Sequence, residues 1–263
     1  MGLLNISKNK KSNLFISKDS STTFFISKDE LRTNLKTGLL CALELDETSG
    51  TIAYDSNGIR DWVNTNCTIM QPGKLNYSYF FGDFLAGSLE YQNTLISNPL
   101  NISVSFWFKH NGTYDGTDPA TIFMDGAETD NSIFQIMMLN NPDKGKIRFY
   151  LRDEDLEAAY IITTNAYDDN QWHFVSAIKK EKTIFLYVDE VLIGQDTRDY
   201  GIFDFTKAGI NHYTKIGKTI DAVAAKQEYL GYLDQVCVWE IPLNADQRFK
   251  LYNRGNGKAF SNW

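Results

Sequence analysis

Cysteine is scarce in this chain, and its few copies are poorly placed for a framework. Cys41, Cys67 and Cys237 are odd in number and show no C-x-x-C spacing. That argues against a zinc site and a disulfide scaffold, and leaves the three as small buried hydrophobes. Histidine is equally rare. His110, His173 and His212 are the only ones, too few for a His-rich metal site. No apolar run approaches the ~20 residues that a membrane-crossing helix needs, so no membrane partner is expected. Gly2-Leu3-Leu4 is too short for the apolar core of a secretory leader, and the expectation is a protein made in a cytoplasm. No Ser/His/Asp constellation and no phosphate-cradling glycine loop emerges.

Positive charge is also in deficit, with 26 Lys/Arg against 33 Asp/Glu for a net charge of -7. The deficit is uneven. Residues 1–36 hold seven Lys/Arg against Asp19, Asp29 and Glu30, which leaves 19 cations against 30 acids in the rest. A basic arm on an acidic body favours acidic partners for the arm, and the acidic body argues against nucleic acid. With 263 residues, 43% of them hydrophobic, the chain can bury roughly 70–75% of its unfolded surface and needs no staple to fold.

What the arm does contain is a repeat. Leu14-Phe15-Ile16-Ser17-Lys18-Asp19 returns ten residues later as Phe24-Phe25-Ile26-Ser27-Lys28-Asp29, and Leu4-Asn5-Ile6-Ser7-Lys8-Asn9 is a fainter copy ten residues before. These apolar triplets, separated by polar residues, are too little for a core of their own. The chain therefore divides into an arm, 1–37, and a body, 38–263.

The body reads as strands. Leu39, Cys41, Leu43 and Leu45 alternate with Leu40, Ala42 and Glu44, and Ile102, Val104, Phe106 and Phe108 alternate with Ser103, Ser105, Trp107 and Lys109. Ile133 to Leu139, Lys146 to Arg152, Trp172 to Ile178, Thr183 to Val188 and Leu230 to Trp239 are further β-rich runs, with turn clusters such as Ser56-Asn57-Gly58 and Asp168-Asp169-Asn170 between them. Strands at this spacing without intervening helices predict an antiparallel sandwich. One helix is predicted near the end, with Asn244 as N-cap, Gln247 completing a capping box, Phe249 and Tyr252 on one face, and Gly255 as the stop.

These segments carry a resemblance. "LLCALELDETSGTIAYDSNG", "NISVSFWFKH", "NQWHFVSAIKKEKTIFLYVDEVLIG" and "YLGYLDQVCVWEIPLNADQRFKLYNRGNG" resemble, in order, the opening strand, the Ser-x-Trp strand, the Trp-His hairpin and the closing strand and helix of laminin G-like, concanavalin A-like domains. The resemblance covers about Gly38 to Gly257. It implies an all-β, antiparallel two-sheet jelly-roll sandwich with one short C-terminal helix, here preceded by an extended N-terminal arm. Trp107 and Trp172 are the expected core anchors, each with an indole N–H able to reach a backbone carbonyl. Leu39–Leu45 and Leu230–Trp239 are expected to pair side by side.

The resemblance also implies site residues. Many relatives bind a structural calcium between the first turn and the last strand, which maps to Asp55 and Asp234, the alternative being that both carboxylates serve as hydrogen-bond acceptors. For a glycan, Tyr114 with Asp115, Asn131 and Tyr200 are loop candidates. Asp153, Asp155 and Glu157 alternate like the catalytic carboxylates of related β-glucanases, so a glycoside hydrolase is one alternative; a solvated hairpin tip is the reading preferred. His173 is expected to be structural.

Laminin G-like domains usually act outside the cell, binding glycans or proteins. A cytoplasmic origin and an outside task are reconciled in a non-enzymatic virion structural protein, a phage head decoration or fibre component, assembled in the host cytoplasm and displayed on the virion surface. Its partners would be a host-surface glycan, other virion proteins and further copies in a homo-oligomer. Phe15, Ile16, Phe25 and Ile26 would dock the arm onto sheet edges of the assembly. The other alternative is a carbohydrate-binding module or adhesin acting extracellularly or on a cell surface.

Overall fold

Alternation along the body becomes strand wherever one face can be buried. The computed structural model describes residues 13–19, 22–27, 33–82, 87–93, 95–96, 100–110, 112, 118–127, 133–153, 157–199, 212–219 and 228–263. Two antiparallel sheets make up the body. In the first, β13 (Ala158–Ile162), β12 (Ile147–Arg152), β11 (Ile133–Met138), β10 (Ala120–Ala127), β17 (His212–Ile216), β8 (Ser88–Tyr91), β5 (Trp62–Thr65) and β4 (Ile52–Ala53) follow one another. The second runs β16 (Val191–Thr197), β15 (Thr183–Val188), β14 (His173–Lys180), β9 (Asn101–Lys109), β18 (Gly231–Trp239), β7 (Tyr77–Phe81) and β6 (Thr68–Pro72). As expected, the opening strand β3 (Leu39–Leu43) pairs with the closing strand β18. A bulge at Gln235, whose φ is 51°, divides one edge of β18 between β7 and β3. This is the jelly-roll sandwich that the strand pattern implied.

Facing side chains of the two sheets form the main core. Phe106, Phe108, Phe123, Phe134 and Phe149 are fully buried there with Trp62, Tyr79 and Phe81. Phe123 and Phe134 meet edge-on with centroids 6.0 Å apart, a favoured aromatic geometry.

A second core lies on the outer face of the second sheet. The helix Ala245–Tyr252 begins at the expected capping box, in which Asn244 accepts from the Gln247 N–H and Gln247 accepts from the Asn244 N–H. Its buried residues are Gln247 and Leu251, while Phe249 is 53% exposed. The helix stops at Asn253, which takes the left-handed conformation two residues before Gly255. Trp107 stacks on Tyr252 at 5.8 Å and Trp239 on Trp263 at 5.9 Å. Leu35 is buried in this layer, and its carbonyl accepts the Trp239 indole N–H at 2.7 Å. The layer's contacts thus reach back across the 37/38 boundary to Thr33, whose carbonyl accepts from Lys250 Nζ.

Two expected anchors are placed differently from the sequence reading. Trp107 is buried beneath the helix rather than between the sheets, and its indole N–H finds no acceptor. A Cβ on Gly257 would come within 3.3 Å of that nitrogen, at a φ of +74° that already favours glycine. Trp172 is only partly buried, at the rim of the same layer. Trp107 takes an outward position of β9 and Trp172 stands just before β14, so the space between the sheets is filled by the alternate residues of these strands instead.

In the arm, β1 (Asn13–Asp19) and β2 (Thr22–Ser27) pair antiparallel in a two-stranded sheet joined to neither body sheet. Two copies of the repeat therefore pair with each other, with Phe15 opposite Phe25, Ile16 opposite Phe24 and Leu14 opposite Ile26. The repeat strands are a hairpin and not a single extended segment.

Candidate functional site: the open face of the first sheet

β12 reads Ile147-Arg148-Phe149-Tyr150-Leu151-Arg152, and its burial alternates with it. Ile147, Phe149 and Leu151 enter the core, so Arg148, Tyr150 and Arg152 must point out of the sandwich. Register extends this outward row across the sheet. Tyr150 is opposite Tyr160 on one side and Gln135 on the other, and the row continues through Met124, Lys215 and Glu90 to Val63. Tyr160 is 56% exposed, whereas Gln135 and Met124 in the middle of the row are buried, so the open part of this face is its β12–β13 end. No helix of the described residues packs here, in contrast to the second sheet.

The chemistry of this row is aromatic and cationic. The Arg148 guanidinium lies 5.7 Å from the Tyr150 ring centre, and Lys215 Nζ lies 5.0 Å from that of Tyr213. Lys215 is paired with Glu90 at 3.3 Å. Arg148 has no carboxylate within ion-pair distance among the described residues; its Nη2 donates to the Met137 thioether at 3.1 Å, and its Nε is buried without an acceptor. Burial pulls the Arg148 pKa down against the opposing influence of the Tyr150 and Tyr160 hydroxyls. Tyrosine rings beside a guanidinium fork suit a flat, hydroxylated ligand carrying acceptor oxygens.

A second aromatic group sits at the rim of the covered sheet. Lys109 Nζ lies 4.4 Å from the Tyr232 ring centre and 5.4 Å from that of Trp172, and Phe80 packs on Tyr232 at 4.8 Å. These rings are engaged by the protein's own ammonium. Beside Trp172, His173 ties two turns together: Nδ1 meets Asp189 Oδ2 at 2.7 Å and Nε2 meets Asp169 Oδ1 at 3.1 Å. Burial works to lower the His173 pKa, but the two carboxylates more than offset it and hold it above the usual value. The residue is a structural staple, as the sequence suggested.

Residues 86–247 match the concanavalin A-like lectin/glucanases superfamily. The chain belongs to that superfamily. No curated protein matches it by sequence. Among solved structures it is similar to the binding domain of botulinum neurotoxin serotype C1, with a TM-score of 0.60 at 16% identity over 84% of this chain and 52% of that one. The binding domain of botulinum neurotoxin DC in complex with SialylT gives 0.61 at 14% identity, over 84% and 52%. The same domain in complex with rat synaptotagmin II gives 0.58 at 13%, over 82% and 52%. The chain spans about half the length of these structures, and at such identities the likeness is one of fold.

The residues singled out from sequence fare unevenly against this superfamily frame. Tyr114, Asp115, Asn131 and Tyr200 lie outside the described residues, as does Asp155. Asp153 and Glu157 flank the β12–β13 turn, where Asp153 Oδ1 accepts the Glu157 N–H at 2.9 Å. Asp153 and Glu157 therefore do not lie on one strand, since β12 ends at Arg152 and β13 begins at Ala158.

The proposed calcium pair presents different obstacles. Asp55 Oδ1 accepts from the Ala42 and Asn57 amides and Oδ2 from those of Ile59 and Arg60. Four backbone donors already complement its charge, so it does not fit as a calcium ligand in this geometry. Asp234 is fully buried and accepts from the Leu75 N–H at 2.8 Å. Burial drives its pKa up, with nearby Asp46 adding to the rise. Among the described residues no group of three or more His, Cys, Asp or Glu could hold a metal ion. Asp234 Oδ1 is buried without a hydrogen-bond partner, so calcium remains an implication of the resemblance that the amides around Asp55 do not favour. Sequence reasoning passed over the open face itself, although the I-R-F-Y-L-R alternation was there to be read.

Proposed function

We propose that this protein is a non-enzymatic recognition module that binds a glycan on the open face of its first sheet. The observation that carries this reading is the outward row of Tyr150 and Tyr160 beside Arg148 on a sheet that no helix of the described residues covers. Sugar rings offer apolar C–H faces to aromatic platforms and hydroxyls to the polar groups around them. The superfamily and the botulinum neurotoxin binding domains, one of them in complex with SialylT, support the class of ligand.

The module serves, in this proposal, as a virion structural protein, a head decoration or fibre component, attached to other virion proteins through residues 1–37. Support for an appendage comes from the repeat hairpin, whose strands join neither body sheet. An isolated two-stranded hairpin is marginal in water, so a partner surface would stabilise it. Virion-surface localisation and homo-oligomer formation belong to this proposal.

A glycan array probed with the full chain and with Tyr160→Ala tests the recognition reading. Binding by the wild type that the variant loses is expected; binding unchanged in the variant would exclude this face. Attachment is tested separately by sedimentation with particles. Changing Phe15, Ile16, Phe25 and Ile26 to Ser should release the protein without changing its melting temperature, and continued co-sedimentation would sink the anchor.

A further inference from the structure

The cations of the open face are not equivalent. Lys215 has Glu90, whereas Arg148 has a thioether, an aromatic neighbour and no described carboxylate. A guanidinium carries five N–H donors and is effectively always charged. A thioether is a weak acceptor, and Nε is out of reach of water with no acceptor at all. Holding a partly buried charge so sparsely solvated costs stability that an apolar side chain of similar length would recover. Met137 and Ile162, its direct neighbours across the sheet, would accept such a side chain without a clash of polarity.

We propose that Arg148 receives the carboxylate of an acidic saccharide, making the ligand a uronic-acid or sialic-acid glycan rather than a neutral one. This rests on the reading of the open face as the glycan site. The planar fork of arginine matches a carboxylate with two parallel hydrogen bonds, and Tyr150 and Tyr160, opposite each other in register, flank it where the sugar ring would lie.

The test uses the full chain, its Arg148→Met and Arg148→Lys variants, and four probes: 3′-sialyllactose, digalacturonate, lactose and a sulfated lactose. Calorimetry should show the carboxylated sugars binding the wild type about tenfold or more tighter than lactose. Arg148→Met should lose that preference, and Arg148→Lys should retain only part of it. Arg148→Met should also melt no lower than the wild type. A melting temperature several degrees lower would mean that the guanidinium is a packing element, and the inference would fall. It would also fall if the preference survived in Arg148→Met or if only the sulfated sugar bound tightly. Equal binding of neutral and acidic sugars would overturn the inference while leaving the glycan reading intact. A final arm separates the two in the other direction: free glucuronate is titrated while the Arg148 Nε–H resonance is followed by NMR. A shift there without binding of any oligosaccharide would keep the anion site and remove the glycan reading; no shift would remove the anion site, and no shift together with no oligosaccharide bound would remove both.

Discussion

The two sheets of this sandwich have outer faces that began with similar alternating patterns and ended with opposite fates. On β9 the outward residues are Ser103, Ser105, Trp107 and Lys109; on β12 they are Arg148, Tyr150 and Arg152. The first set is nearly all buried, because the C-terminal helix, Trp263 and Leu35 cover it. Ser103 even becomes a structural joint, donating to the Ile241 carbonyl and accepting the Leu243 N–H, both at 2.8 Å. The second set stays partly exposed, with no helix of the described residues above it. An aromatic residue pointing out of a sheet is thus core or binding platform according to what lies above it.

This contrast can be broken experimentally, and the largest effect is expected on the covered side. Trp239→Ala removes a fully buried indole, its stack on Trp263 and its bond to Leu35, and should cost about 3–5 kcal/mol in urea melts. A loss below about 1 kcal/mol would mean that the helix layer is not a core. Acid probes the shared interior through His110, whose burial lowers its pKa to about 4. Unfolded His110 takes up a proton near pH ~6.5. Between that pH and about 4 only the unfolded chain binds the proton, so stability falls with pH, by on the order of 3 kcal/mol for this group. His173 acts oppositely: its raised pKa adds stability below pH ~6.5 that is lost as pH rises through the folded value. Melts from pH 7 to 4 should show the acid slope reduced in His110→Asn; an identical slope would assign the loss to other groups.

On the open side, Tyr160→Ala should change stability by less than about 0.5 kcal/mol, because the ring is mostly in water. A loss comparable to that of Trp239→Ala would show that something covers this face as well. Smallest of all is the expected effect of EDTA. With four backbone N–H donors on Asp55, the melting temperature should stay where it is. A drop reversed by added calcium, and absent in Asp234→Asn, would restore the calcium implication.

Much of the architecture was legible before any coordinates. Period-two alternation placed β9 and β18, the turn clusters separated the strands, and Asn244 with Gln247 marked the helix start, because each of these signals is local. The exposure of Phe249 and the burial of Leu251 were not, since they depend on the angle at which the helix meets Trp107 and Tyr187. The same limit applies to the site. Tyr114, Asp115, Asn131 and Tyr200 were chosen from loops by composition, whereas the row on the open face is made by register across seven strands from Val63 to Tyr160.

By itself the sequence determined which residues of each strand would share a face, because side chains alternate every residue whatever the rest of the chain does. It also determined the sandwich, since strands of that pattern must bury one face against another sheet. Only the tertiary structure decided which outer face stayed open. Leu35 and Trp239 meet across 204 positions of chain, and such encounters depend on how the whole body closes. Tertiary structure likewise decided that Asp55 is surrounded by amides and that Arg148 has a thioether where a carboxylate could have stood. Charge and hydrogen bonding are settled by neighbours within a few ångströms, and the fold alone chooses those neighbours.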